Sequence, residues 1–297
     1  MTWKLTLPCT KAEAEQLGSD ISPLALMDEP PTLMTSEETE ESWRLDAYFE
    51  AKPGKGEVAA LQALVPSAAG AKPVIEQLPE EDWVTLSQQG LEPIHAGRFF
   101  VHTPAHRGSA PEGAVALEID AGRAFGTGQH ETTTGCLIAL DRLKREGFIA
   151  RNLVDVGTGT GLLAFAGLRL WPGARATASD IDPVAVEVTR ENAAINAVRL
   201  GRVPGALDTV TAPGLNHPRL KARAPYDLII ANILAGPLVG LAPSLAKALA
   251  PGGRIILAGL LTSQAARVEA AYRREGLRSR FTITRGDWPT LVLRRPR

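Results

Sequence analysis

The residues best suited to chemistry lie in one stretch, Asn152 to Leu163, which reads NLVDVGTGTGLL. In it, Gly157, Gly159 and Gly161 stand between an apolar strand pattern and the start of an apolar helix pattern. A strand that turns into a helix through glycines lets a ligand approach bare backbone at the carboxyl edge of a parallel sheet. The stretch therefore predicts a cofactor-binding loop, and an ordinary tight turn between strand and helix is the alternative.

The spacing of this loop disfavours a dinucleotide cofactor. A dinucleotide loop needs its third glycine three positions after the second, where this chain has Leu162. Asp155, two residues before Gly157, would repel a pyrophosphate but would suit a ligand that carries an ammonium group. Asp180 ends the next apolar run, where its carboxylate could accept hydrogen bonds from a ribose diol. S-adenosylmethionine has the ammonium group and the ribose but no phosphate, so it is the predicted cofactor, and a nicotinamide dehydrogenase is disfavoured.

A second glycine-rich stretch, Ala124 to Thr134 (AFGTGQHETTT), precedes a helical pattern. Its glycine pair is flanked by Phe125 and His130, and we predict that it forms a lid or floor for the same cofactor. His130 could also relay a proton, although a structural hydrogen bond is an equal alternative.

The length of 297 residues predicts two domains. We predict a small α+β domain of ferredoxin-like type over residues 1–79, because its element pattern is roughly βαββαβ, then a linker helix over 80–90 around Trp83, and a second domain over 91–297. Residues 1–100 hold 17 Asp and Glu against 7 Lys and Arg, and the rest of the chain holds 16 against 25. This asymmetry indicates either an acidic module that meets a basic partner or a solvated surface.

The cysteine and histidine pattern indicates no metal site. Cys9 and Cys136 are isolated in the sequence, which is typical of a reducing compartment, and the spacing of His95, His102 and His106 is not that of metal ligands. The sequence has no signal-peptide pattern and no apolar run of membrane-spanning length, so we expect a cytoplasmic protein without a membrane partner.

The second half of the chain repeats a strand–helix rhythm. Asp182 and Pro183 predict a capped helix start, and the segment from Tyr226 to Ala231 predicts a buried strand that ends at Asn232. The segment 201–218 is predicted to be irregular, with Leu207 and Asp208 as candidates for adenine contact. The last strands, within residues 281–293, are expected to form a closing hairpin.

Four strings together carry a resemblance to a known family: AFGTGQHETT, LVDVGTGTGLLA, SDIDPVAVEVTREN and ANILAGPLVGLAP. The chain resembles the bacterial methyltransferases that modify protein eleven of the large ribosomal subunit, with gaps, from about Asp120 to Leu260. The resemblance implies a seven-stranded class I methyltransferase domain of α/β type, with a Rossmann-like fold, preceded by a small substrate-recruiting domain. It implies S-adenosylmethionine as cofactor and that ribosomal protein as partner, either free or in the assembling ribosome, with no direct specific contact to nucleic acid.

Carried over residue by residue, the cofactor contacts of that family fall on Thr133, Gly157, Asp180 and Asn232. Asn232 is also our candidate for holding the target nitrogen or the methionyl end of the cofactor, with a strand-end turn as its alternative role. A methyltransferase acting on nucleic acid or on another protein, and a cofactor-binding module without turnover, remain the rival interpretations. The Asn232-Ile233-Leu234-Ala235 sequence counts against the first, because enzymes on nucleic acid or release factors usually carry Asn-Pro-Pro-aromatic there.

Overall fold

A computed structural model of the chain describes residues 2–17, 31–37, 43–49, 51–78, 93–119 and 129–297. The chain divides into two compact units, Met1–Leu86 and Ser87–Arg297. The predicted linker over 80–90 lies outside the described residues. The domain limits drawn from the sequence therefore stay a prediction.

The described residues of the first unit form a four-stranded antiparallel sheet with two α-helices. Its strands follow the order β2-β3-β1-β4, and its elements are β1 (Thr2–Cys9), α1 (Lys11–Leu17), β2 (Thr32–Glu37), β3 (Trp43–Phe49), α2 (Lys55–Leu64) and β4 (Val74–Leu78). Alternate side chains of β1, Leu5 and Leu7, are fully buried with Leu61 of α2, because successive strand residues point to opposite faces. This order is that of ferredoxin-like folds and confirms the predicted α+β class.

The second unit begins with a small sheet, in which β5 (Ile94–Ala96) pairs with β6 (Phe99–His102) and β6 pairs with β7 (Val115–Glu118). Its main sheet has seven strands in the order β10-β9-β8-β11-β12-β14-β13. In chain order these are β8 (Asn152–Val156), β9 (Arg175–Asp180), β10 (Leu207–Thr211), β11 (Tyr226–Asn232), β12 (Leu249–Ala258), β13 (Arg278–Arg285) and β14 (Trp288–Arg294). Strand β14 runs antiparallel to both of its neighbours, β12 and β13. The seven-stranded α/β fold implied by the family resemblance is thus confirmed.

Helices cover both faces of this sheet. One layer holds α3 (Gln129–Arg145), α4 (Leu162–Leu170) and α5 (Pro183–Ile195), and the other holds α6 (Pro218–Arg223), α7 (Ala235–Ala248) and α8 (Thr262–Arg274). In β11, Leu228 and Ile230 enter one core while Ile229 and Ala231 enter the other. A strand buried on both faces needs a continuous apolar sequence, which is why the segment from Tyr226 to Ala231 lacks polar alternation.

The strand order reverses between β8 and β11, because the chain proceeds from β8 outward to β10 and then returns to the far side of β8. In open parallel sheets a ligand crevice forms at the carboxyl ends of the strands at such a switch point. The glycine loop after β8 and the Asn232 motif after β11 are therefore neighbours although 75 residues separate Gly157 from Asn232.

One element contradicts the sequence prediction. The stretch predicted to be irregular contains β10, which pairs in parallel with β9. Asp208 lies near the amino end of β10, where its carboxylate contacts Arg219 and Arg223, so the prediction that it contacts adenine is wrong. Among the described residues, no helix combines the length and apolar character needed to cross a membrane.

Candidate active site

A cavity of about 790 Å³ lies at the carboxyl ends of the central strands. Its lining brings together five residues singled out from the sequence, namely Thr133, Gly157, Gly159, Asp180 and Asn232. Cavities of this volume accommodate small molecules and cofactors. The reversal of strand order is what makes these distant segments converge.

The glycine loop exposes its backbone to this cavity. Gly157 has a φ of 73°, and the N–H groups of Gly157 and Thr158 both donate to the carbonyl of Ser179, at 2.8 and 3.0 Å. A Cβ on Gly157 would lie 2.2 Å from the Cγ2 of Ile233, whereas a Cβ on Gly159 would meet no heavy atom within 4 Å. Gly157 therefore permits close packing of the loop on the Asn232 motif, and Gly159 presents bare backbone to open space.

Asp180, the last residue of β9, is held at the edge of the cavity. Its Oδ2 accepts a hydrogen bond from the Gly159 N–H at 2.9 Å, and its Oδ1 accepts one from the Asp182 N–H at 3.1 Å. Each carboxylate oxygen keeps a further lone pair for a ligand hydroxyl. Among the described residues that line the cavity, Asp180 is the one charged side chain, so they offer no lysine or arginine for a pyrophosphate.

Asp155 is not part of the described lining, contrary to its predicted place beside the ligand. Its side chain is 1% exposed, and its Oδ2 accepts a hydrogen bond from the Thr158 hydroxyl at 2.8 Å. Burial raises the pKa of Asp155 to about 7, the Thr158 hydrogen bond lowers it, and the charge of Asp180 adds to the rise. The structure thus places Asp155 behind the loop, where it contacts Thr158 of the cavity lining.

Asn232 ends β11 beside Ala258 of β12 and lies next to α3. Its Nδ2 is 3.4 Å from the Oγ1 of Thr133, so the two predicted contact residues are in direct contact. A Cβ on Gly259 would lie 2.5 Å from the carbonyl oxygen of Ile233. Gly259 thus allows the backbone that follows Asn232 to pack closely, a role that the sequence prediction missed.

Two further predicted residues are not described in full. Phe125 lies outside the described residues. His130 is the second residue of α3, but its side chain also lies outside the described part of the chain. Their predicted roles, cofactor contact for Phe125 and proton relay for His130, stay predictions.

Apolar side chains at the cavity form a second group that the sequence prediction missed. Ile181 is 72% exposed and Leu234 is 74% exposed, although both line the cavity. Trp288, at the start of β14, joins them, and the hairpin that carries it is tied to α3 by an ion pair from Arg285 to Glu131 at 2.9 Å. The sequence signal for Ile181 and Leu234 was their position, directly after Asp180 and two residues after Asn232.

The described residues contain no group of three or more histidine, cysteine or carboxylate side chains placed to hold a metal ion. His102 is buried with its Nδ1 2.8 Å from the carbonyl oxygen of Thr103. Cys9 and Cys136 are both buried and free.

Comparison with known proteins agrees with this geometry. The model of the family described as "Ribosomal protein L11 methyltransferase (PrmA)" matches residues 11–296. Relatives named ribosomal protein L11 methyltransferase include one from Rhizobium leguminosarum bv. trifolii (strain WSM2304), 42% identical over 99% of both chains, and one from Chelativorans sp. (strain BNC1), 45% identical over 84% of both. A crystal structure of ribosomal protein L11 methylase from Lactobacillus delbrueckii subsp. bulgaricus is 26% identical with a TM-score of 0.56, and the match covers 70% of this chain and 99% of that one.

Proposed function

This chain belongs to the ribosomal protein L11 methyltransferase family, and from that premise we propose that it methylates lysine side chains or the N-terminal amine of ribosomal protein L11. Membership in the family makes it a methyltransferase that uses S-adenosylmethionine. The observation that best supports the proposal is the convergence in one cavity of the Gly159 backbone, the Asp180 carboxylate and the Asn232 amide.

The residues of the cavity fit this cofactor. Gly157 and Gly159 offer an open backbone surface, and Asp180 keeps lone pairs for the two hydroxyls of a ribose. A cofactor without phosphate also suits a cavity whose one described charged side chain is a carboxylate. When bound, S-adenosylmethionine supplies a methyl group that its sulfonium already activates for transfer.

The task left to the chain is therefore to orient a neutral amine. A lysine with a pKa near ~10.4 is neutral in fewer than about one molecule in 10³ at pH 7. Ile181 and Leu234, which are exposed at the cavity, would disfavour the charged amine once the bound substrate covers them, and so would increase the neutral fraction. The side-chain Oδ1 of Asn232 can accept a hydrogen bond from the substrate amine while the Nδ2 of Asn232 remains near Thr133. This hydrogen bond would align the amine nitrogen for in-line attack.

Proton removal makes the proposal sensitive to pH. The described lining offers Asp180 as its one titratable side chain, and two backbone N–H groups already bond to that carboxylate. For a lysine target we therefore expect kcat/KM to rise about tenfold per pH unit between pH 7 and pH 9, whereas for the N-terminal amine, with a pKa of about 8, the rise should level off above about pH 8. A plateau above the ordinary histidine pKa of ~6.5 that disappears in His130→Ala would instead favour the proton relay.

The first unit is proposed to recruit the substrate. The excess of acidic residues in the first 100 positions would attract a basic protein. The residues identified so far fit either the free ribosomal protein or the assembling ribosome as the species that is methylated.

The direct test is transfer of labelled methyl from S-adenosylmethionine to purified ribosomal protein L11, with total ribosomal RNA as a parallel substrate and mass spectrometry to place the label. Asn232→Ala should lower kcat by a larger factor than it weakens cofactor binding, because the amide that orients the target amine is lost. Asn216→Ala is the matched control, since Asn216 is exposed and bonds only to Lys221 among the hydrogen bonds described for its side chain.

Label on amine nitrogens of the protein would support the proposal. Label on RNA alone would keep the methyltransferase assignment but overturn the substrate. Full turnover by Asn232→Ala, with normal cofactor binding, would contradict the orienting role.

A further inference from the structure

The last part of the chain carries a large excess of positive charge. Residues 254–297 contain ten arginines and no lysine, against the three acidic residues Glu269, Glu275 and Asp287. Their net charge is therefore +7, although the whole chain is at −1. A segment of this charge provides the electrostatic attraction that polyanions require.

Three of these arginines lie side by side across neighbouring strands. Arg254 of β12 is directly opposite Arg294 of β14, which is directly opposite Arg278 of β13. Directly opposite side chains share a face of the sheet and lie about 5 Å apart at Cβ, and like charges in such positions destabilise the sheet. A row of three arginines is thus an arrangement that folding by itself disfavours.

Acidic side chains do little to offset this row. Burial lowers the pKa of the Arg254 guanidinium, and the charges of Arg280, Arg294 and Arg297 lower it further, while Glu146 raises it. Glu146 already accepts hydrogen bonds from Arg280 at 3.1 Å and from Arg142 at 2.9 Å.

We call Arg254, Arg278, Arg280, Arg294 and Arg297 the arginine edge. Its outer members Arg278, Arg294 and Arg297 are exposed, and β13 is the last strand of the sheet. Arg254 is anchored instead, since it donates to the carbonyl of Gly252 and lies 5.3 Å over the ring of Phe148. The edge therefore combines a fixed base with guanidinium groups that face solvent.

The arginine edge is separate from the cofactor cavity. Arg254 and Ala258, the neighbour of Asn232, are four residues apart on one strand, which at ~3.3 Å per residue places them about 13 Å from each other. Of the five arginines, none lines the cavity. A partner bound at the edge would leave the cavity open.

We propose that the arginine edge binds the phosphate backbone of RNA without preference for base sequence. Guanidinium groups match phosphate oxygens through paired hydrogen bonds. The one aromatic side chain among the described residues of β13, Phe281, is covered by Arg142 at 3.9 Å, so this strand offers no free ring for base stacking. The choice of RNA among polyanions rests on the proposed function, since a ribosomal protein is met beside ribosomal RNA.

The test measures RNA binding and methylation separately in the full chain. A fluorescein-labelled duplex fragment of ribosomal RNA and an unrelated RNA duplex of equal length are titrated by anisotropy over a series of salt concentrations. The test variant is Arg278→Glu/Arg294→Glu. The control is Arg267→Glu/Arg273→Glu on α8, which changes the net charge equally on the opposite face of the sheet. Methyl transfer to free ribosomal protein L11 is assayed in parallel.

We expect both RNAs to bind equally and the test variant to bind about tenfold more weakly at low salt. Its slope of log affinity against log salt should fall by about 2 in magnitude, while the control stays within about twofold of the parent. The Tm of the test variant should change little, because position 294 then attracts Arg254 but still faces a like charge at position 278. If charge reversal impairs folding, the milder pair Arg278→Ala/Arg294→Ala replaces the test variant. We expect it to weaken RNA binding by the same order of magnitude.

Equal weakening by the test and control pairs would overturn the proposal, as would unchanged RNA affinity in the test pair. Binding to anionic phospholipid vesicles but to neither RNA would also overturn it. If the parent protein binds RNA but transfers no methyl group to ribosomal protein L11, this result would contradict the proposed function. The proposed RNA binding by the arginine edge would still stand.

Discussion

The buried carboxyl group of Asp155 provides the sharpest quantitative prediction. Asp155 ends up behind the cofactor loop, 1% exposed, with the Thr158 hydroxyl 2.8 Å from its Oδ2. Burial raises its pKa from 3.8 to about 7, so the folded protein holds a proton here that the unfolded chain has already released. Asp155→Asn replaces this group by a neutral amide of similar shape and removes the titration.

The sign follows from proton binding in the two states. Between pH 4 and pH 7 the folded state binds the proton more tightly than the unfolded state, so the contribution of Asp155 to stability is complete below about pH 4 and is lost as the pH rises through about 7. At 1.36 kcal/mol per pKa unit, the loss between pH 5 and pH 8 is about 3 kcal/mol. The free energy of unfolding of the parent, minus that of Asp155→Asn, should decrease by this amount over that range.

Urea unfolding of the parent and of Asp155→Asn at pH 5, 6, 7 and 8 measures this difference in unfolding free energy. The subtraction cancels the contributions of groups that titrate alike in the two proteins. Thr158→Val is a second probe: it removes the hydrogen bond that lowers the pKa of Asp155, so the loss should extend to higher pH. A difference between parent and Asp155→Asn that is constant from pH 5 to pH 8, or that increases with pH, would refute the reasoning.

Three other substitutions test packing and charge. In an exposed helix, Gly→Ala stabilises by about 1 kcal/mol. At Gly135, however, the added Cβ would lie 2.2 Å from the Thr290 Oγ1. We therefore expect Gly135→Ala to destabilise the protein by about 1–3 kcal/mol in thermal unfolding, and Thr290→Ala to reverse part of this loss. Asp208→Asn should cost about 3 kcal/mol of unfolding free energy, because it removes the carboxylate that faces the largely buried Arg223 and its neighbour Arg219. Gly157→Ala should weaken S-adenosylmethionine binding, measured by calorimetry, by about tenfold or more, because its positive φ is strained and its Cβ would collide with Ile233.

Features that depend on neighbouring residues could be predicted from the sequence. The Asp182 and Pro183 pair predicted a capped helix start, and the Asp182 carboxylate does accept the Val184 N–H at 2.8 Å. The buried strand predicted from Tyr226 is β11, which ends at Asn232 as expected, because its continuous apolar run indicates burial on both faces. In these segments the local sequence and the tertiary structure favour the same conformation.

Features that depend on distant residues could not be predicted. Strand β10 reads LDTVT, which is too short and too polar to indicate a buried strand. It is buried because Asp208 is neutralised by Arg219 and Arg223, which follow it in the chain, and because β9 supplies its hydrogen bonds. The position of Asp155 was missed for the same reason: its offset from the glycines predicted closeness to the cofactor, but only the packing of the loop decided which side of the loop it occupies.

The parallel sheet separates two electrostatic environments that would interfere if they were adjacent. At the carboxyl ends of the strands, the described cavity lining holds the single carboxylate Asp180, which suits a sulfonium cofactor and a cationic amine. The arginine edge begins at Arg254 within β12, about 13 Å along the strand from Ala258, the neighbour of Asn232. The Debye length at physiological ionic strength is about 8 Å, so positive charge at the edge is largely screened before it reaches the site of transfer. The near-neutral charge of the whole chain therefore describes neither the cavity nor the arginine edge. The distance between them lets the second unit bind a polyanion at the edge without repelling the sulfonium cofactor and the cationic amine at the cavity.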